Sequence, residues 1–136
     1  MALKTYRGSC HCGAVRFEAD IDFSQGTRKC NCSFCTKVRT WNVILKPEAL
    51  RVISGEETML PYRAGDQTPA NHAFCGRCGV RTFDRGYLEV IGGDYVSVMV
   101  ASLDDVSIDD AMSGPVDYSD GRNNNWMNPP VDVRNL

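Results

Sequence analysis

No apolar run in the chain approaches the ~20 residues needed to cross a bilayer. Its start, Met1-Ala2-Leu3-Lys4-Thr5-Tyr6-Arg7, has no apolar stretch of the signal-peptide kind. A basic surplus is missing as well: the formal net charge is −2, without the basic patch or tail that nucleic-acid binding usually displays. There is no repeat and no low-complexity tract, and helical periodicity is scarce. These absences leave no membrane or nucleic-acid partner to expect and say nothing of oligomeric state. What remains has 43% apolar and 24% charged residues, ordinary values for a globular domain. A chain of 136 residues suits one domain that buries roughly two-thirds of its unfolded surface. With no targeting segment and reduced thiols, the expected location is cytoplasmic.

Cysteine is the abundant residue. Seven of them fall into three clusters: Cys10-His11-Cys12, then Cys30-Asn31-Cys32-Ser33-Phe34-Cys35, then Cys75-Gly76-Arg77-Cys78. Disulfides would need an oxidising compartment, would strand one thiol of an odd count, and fit C-x-C neighbours poorly. Buried inert cysteines would be scattered, not grouped within two or three positions. Such short spacings are the mark of zinc. Structural zinc takes four protein ligands, while catalytic zinc keeps three and an open position; seven divides as four plus three. Cys10 and Cys12 would share a strand face, and Cys75-Gly76-Arg77-Cys78-Gly79 reads as a zinc knuckle. The economical partition puts Cys10, Cys12, Cys75 and Cys78 on one zinc, and Cys30, Cys32 and Cys35 on another. Spacing alone leaves other partitions open. The closed site is expected to hold the fold together, and the three-ligand site to bind more weakly, with partial occupancy.

The periodicity is mainly of the strand type. Strands are expected at Gly13–Ala19, Trp41–Lys46, Leu50–Ile53, Met59–Arg63, Val80–Phe83 and, most strongly, at the β-branched Tyr95–Ala101. Turns are expected at Ser54-Gly55, Ala64-Gly65-Asp66, Asp84-Arg85-Gly86 and Gly92-Gly93-Asp94. Ser33–Thr40 and Asp104–Met112 read as short helical pieces. From Ser113 the chain looks loop-like, yet Tyr118, Trp126, Met127 and Leu136 are apolar anchors. The expected organisation is a zinc-binding domain over 1–112 and a C-terminal segment, 113–136, packed on it.

The stretches Gly8-Ser9-Cys10-His11-Cys12-Gly13-Ala14-Val15-Arg16-Phe17, Cys30–Cys35 and Phe74-Cys75-Gly76-Arg77-Cys78-Gly79 resemble the family of glutathione-dependent formaldehyde-activating enzymes over essentially the whole chain. The ending Asp120-Gly121-Arg122-Asn123-Asn124-Asn125-Trp126, with Pro129 and Arg134, resembles its short bacterial members. The resemblance implies a mainly β fold, the β-tent of small antiparallel sheets stapled by zinc. It also implies the partition above, with a structural zinc on Cys10, Cys12, Cys75 and Cys78 and a catalytic zinc on Cys30, Cys32 and Cys35. The implied activity is that of a carbon–sulfur lyase condensing formaldehyde with glutathione to S-hydroxymethylglutathione; its partners are a small-molecule thiol and an aldehyde. A different thiol or a larger aldehyde is an alternative. Lys37, Arg39 and Trp41 are the candidate substrate-binding residues. Arg63, Arg77, Arg81 and Arg85 are further candidate cations, most of them expected to be solvated. His72 reads as an ordinary loop histidine, with proton shuttle or fourth ligand as its other readings. The rival function is a zinc-stapled interaction module, as in the centromere-associated relatives of this family, its second zinc closed by a residue such as His72 or Asn31.

Overall fold

A computed structural model describes residues 3–64 and 70–136; most of the expected Ala64-Gly65-Asp66 turn lies outside them, as do Met1 and Ala2. Strands β1 (Lys4–Ser9) and β2 (Arg16–Ile21) pair antiparallel, and β5 (Leu50–Ser54) adds to the other edge of β2. A six-stranded sheet runs β11 (Val116–Ser119), β3 (Thr27–Cys30), β4 (Trp41–Leu45), β10 (Gly93–Met99), β9 (Phe83–Leu88), β7 (Ala70–Asn71). A ribbon of β6 (Met59–Leu60) and β8 (Phe74–Cys75) completes the sheets. The fold is mainly β, with two short helices, α1 (Ser33–Val38) and α2 (Ile108–Ala111). Among the described residues no helix is long and apolar enough to cross a membrane.

The two larger sheets share one core. Along β2, buried Phe17, Ala19 and Ile21 alternate with more exposed Glu18 and Asp20, as a strand with one covered face requires. Strand β10 is buried on both faces from Val96 to Met99, which suits its β-branched residues. Phe17 of the first sheet meets Phe83 of the second edge-to-face, centroids 5.7 Å apart, a geometry that aromatic quadrupoles favour.

Several expectations need correction. Asp84-Arg85-Gly86 is not a turn but the middle of β9, where Gly86 lies opposite Tyr95 and leaves room for its ring. The strand expected at Val80–Phe83 therefore reaches the sheet only at its last residue. Strand β10 stops at Met99, where Val100–Ser102 makes a single helical turn. The Met59–Arg63 strand keeps only its first two residues, and the expected helical pieces shorten to α1 and α2. Strands β1 and β3 carry no apolar alternation that would announce them. The stretch after Ser113 contains a strand, β11, which pairs parallel with β3 and places Ser119 opposite Cys30. That pair is parallel, whereas the other strand pairs among the described residues are antiparallel.

Candidate functional site

The outer cysteine pairs sit in turns of one design. The Cys10 N–H donates to Val15 O at 3.0 Å and the Gly13 N–H to Cys10 O at 3.2 Å; the Cys75 N–H donates to Val80 O at 3.0 Å and the Gly79 N–H to Cys75 O at 2.8 Å. Gly13 and Gly79 take φ of 81° and 77°, the left-handed region that a Cβ disfavours. Cys10 and Cys12 thus occupy a turn after β1, not a strand face, because the Cys10–Val15 bond folds the chain back before β2 begins. The four sulfurs of Cys10, Cys12, Cys75 and Cys78 lie within 4.8 Å of one another. Cys10 and Cys12 are 3.7 Å apart, Cys12 and Cys75 3.8 Å. Four sulfurs placed tetrahedrally about 2.3 Å from a zinc ion are separated by about 3.8 Å. The donor set fits the ion, and all seven cysteines are free of disulfides.

Backbone N–H groups point at several of these sulfurs. The Val15 N–H reaches Cys10 Sγ at 3.3 Å and the Arg77 N–H reaches Cys75 Sγ at 3.4 Å. The Cys12 and Val80 N–H groups hold Cys78 down to about 6. Burial pushes Cys10 up, but the Val15 N–H and the Cys12 and Cys75 thiols outweigh it and leave it below the usual thiol value.

Cys30 closes β3, Cys32 caps the N-terminus of α1, and Cys35 lies in its first turn. Their sulfurs also lie within 4.8 Å of one another. The Cys32 N–H donates to Cys30 Sγ and the Cys35 N–H to Cys32 Sγ, both at 3.3 Å. Hydrogen bonds from Cys30 and Cys35 hold Cys32 down to about 2, while the Cys32 sulfur raises Cys30 and the Cys30 sulfur raises Cys35. The three sulfurs form a set of soft donors suited to zinc. No fourth His, Cys, Asp or Glu joins this group among the described residues. A cavity of about 210 Å³ opens onto Cys30 and Cys35, its wall carrying Lys29, Thr36, Arg39, Thr40 and Trp41.

Of the residues singled out from the sequence, Arg39 and Trp41 border this cavity, and Lys37 points to solvent from α1. The Arg39 guanidinium donates to Asn135 O, and Trp41 Nε1 donates to Thr27 Oγ1 at 2.9 Å. His72 lies in the loop between β7 and β8. Its Nδ1 lies 2.9 Å from Asp84 Oδ2, and its ring stacks on Phe34 with centroids 4.1 Å apart. Arg81 is half-buried rather than solvated: it pairs with Asp84 and lies over Phe34 at 4.8 Å. Arg85 pairs with Glu56 at 2.8 Å, while Arg63 and Arg77 are exposed. Asn31 is held by Asp120 and Arg122. Sequence reasoning missed Lys29, Thr36 and Thr40; their one signal was nearness to the middle cysteine cluster.

A family model described as glutathione-dependent formaldehyde-activating enzyme matches residues 5–117. A Halomonas elongata protein, provisionally named a glutathione-dependent formaldehyde-activating enzyme, is 33% identical over a stretch covering 62% of this chain and 59% of that protein. The chain therefore spans less than two-thirds of that relative's length. A crystal structure of a Rhodobacter sphaeroides protein matches with a TM-score of 0.66 and 33% identity, covering 83% of this chain and 99% of that one.

Proposed function

Because the chain belongs to the glutathione-dependent formaldehyde-activating enzyme family, we propose that it is a zinc-dependent carbon–sulfur lyase joining a small thiol to an aldehyde, of the S-(hydroxymethyl)glutathione synthase type. The observation that carries this reading is the three-sulfur cluster beside a cavity with cationic and aromatic walls. Cys30, Cys32 and Cys35 hold the catalytic zinc; Cys10, Cys12, Cys75 and Cys78 hold the structural one. When bound at three sulfurs, zinc supplies a fourth position at which an incoming thiol is held as its thiolate. Three cysteine thiolates would weaken the Lewis acidity of a zinc held there, which argues for thiol binding over activation of the carbonyl. Lys29 and Arg39 offer the cavity positive charge for the carboxylates of a thiol such as glutathione, and Trp41 offers an apolar wall. Lys37 stands outside the cavity and contributes at most a longer-range attraction. In the reaction the thiol sulfur bonds to the carbonyl carbon as the C=O π bond breaks, and the thiol proton ends on the oxygen. The seven unpaired thiols suit a reducing compartment, and we assign the protein to the cytoplasm.

The rival reading is a zinc-stapled interaction module without catalysis, for which a fourth protein ligand such as His72 or Asn31 would close the second site. Asn31 is committed to Asp120 and Arg122, and His72, held through Nδ1 by Asp84, is not among the residues that converge with Cys30, Cys32 and Cys35. Exchange spectroscopy tests the proposed activity. Wild-type protein with glutathione and formaldehyde should interconvert free and hydroxymethylated thiol faster than the uncatalysed rate, and Cys32→Ser should abolish the excess. Wild-type protein that neither binds glutathione in calorimetry nor speeds exchange would remove this substrate pair.

A further inference from the structure

The Cys30–Cys35 loop has little core to hold it. Helix α1 buries none of its residues, so its sulfurs need another restraint to stay convergent. The segment after β11 supplies one. The Asn31 N–H donates to Ser119 O at 3.2 Å. Asn31 Nδ2 donates to Asp120 Oδ1 at 2.9 Å, and the Arg122 N–H donates to Asn31 Oδ1 at 3.0 Å. Arg122 Nε reaches Asn31 O at 3.1 Å and its Nη2 reaches Thr36 Oγ1 at 3.3 Å, bridging the loop to α1. Asp120 is buried and held in turn, its Oδ2 by Asn123 Nδ2 at 2.9 Å and its own N–H donated to Asn128 O at 3.0 Å. The segment also touches sulfur: a Cβ on Gly121 would stand 3.0 Å from Cys30 Sγ and 2.5 Å from the Trp126 ring.

We propose that residues 119–126 form a clasp that fixes the three-cysteine cluster in its metal-holding arrangement, with Asn31, Asp120 and Arg122 as positioning residues. The inference rests on the reading of Cys30, Cys32 and Cys35 as zinc ligands. Every polar atom of the Asn31 side chain is used by the clasp, and Asn31 lies between two of those ligands. The clasp thus restrains both neighbouring sulfurs before any ion arrives, which lowers the ordering cost of binding. Losing groups that orient ligands typically lowers metal affinity by roughly 10–100-fold.

The test measures zinc transfer from the full zinc-loaded chain to a chromogenic chelator, which separates the two sites by affinity. Asn31→Ala should weaken the three-cysteine site by roughly 10–100-fold while leaving the four-cysteine site and the melting temperature unchanged. Arg122→Ala should weaken the same site less, and Arg122→Lys should not restore it, because an ammonium lacks the fork that spans Asn31 O and Thr36 Oγ1. Arg122 is exposed, so this pair remains decisive if Asn31→Ala fails to fold. Unchanged affinity at the weaker site in the alanine variants would overturn the clasp. Zinc content unaffected by Cys32→Ser would instead overturn the ligand assignment on which it rests.

Discussion

Cys75→Ser is expected to unfold the protein, whereas Cys32→Ser leaves it folded with one zinc fewer. Cys75 is only 1% exposed and Cys10 only 3%. Their cluster ties the turn between β1 and β2 to the turn after β8, across more than sixty residues of chain. Zinc at such sites contributes on the order of 10–16 kcal/mol in small peptides, as much as the entire net stability of a typical domain, about 5–15 kcal/mol. A weakened four-sulfur site therefore leaves little margin. Cys32 caps a helix that buries no residue, at the half-buried edge of the fold. Its loss should remove an ion without opening the core. Metal analysis with thermal melting of both variants checks this, and equal destabilisation would contradict the division of roles.

Asp84→Ala should be the most damaging substitution away from the sulfurs, costing about 3–5 kcal/mol, the usual cost of stranding one partner of a buried ion pair. The Asp84 side chain is 4% exposed and that of Arg81 12%. The Asp84 Oδ2 takes both Arg81 and His72, and Oδ1 and Arg81 Nε have no partner among the described residues. Removing the carboxylate leaves a largely desolvated guanidinium with Thr40 Oγ1 as its remaining side-chain acceptor among the described residues. The double variant Asp84→Ala with Arg81→Met should recover much of the loss, because the stranded charge goes too. Urea unfolding of the three proteins checks this. A cost below about 1 kcal/mol for the single change, as for an exposed pair, would show that the network is solvated.

The cysteine clusters were legible because metal ligation depends on short spacing, and short spacing survives in a linear sequence. The convergence of the outer pairs was legible, but its means was not: alternation in a strand and a glycine turn both bring Cys10 and Cys12 to one side. Strand β10 announced itself through β-branched residues buried on both faces. Strand β9 did not. Asp84-Arg85-Gly86 has the local chemistry of a turn, and only long-range partners, His72 and Arg81 for Asp84 and the Tyr95 ring over Gly86, make it a strand. Strands β3 and β11 were hidden for a related reason, since their parallel pairing is set by contacts about ninety residues apart. The aromatic and cationic surroundings of the middle cluster depend on the same distant pairings. His72, near Cys75 in sequence, packs on Phe34 of the other cysteine cluster.

The central claim is that one sulfur cluster is closed and the other takes a substrate thiol. Cadmium NMR of the cadmium-exchanged protein measures this most directly, because the shift of each ion reports how many sulfurs surround it. The account predicts two resonances, one of them removed by Cys32→Ser, and only that one moving on addition of glutathione, towards the position of the fully sulfur-ligated ion. Two resonances already in the fully sulfur-ligated range without added thiol, or a Cys32-dependent resonance that glutathione leaves unmoved, would contradict it.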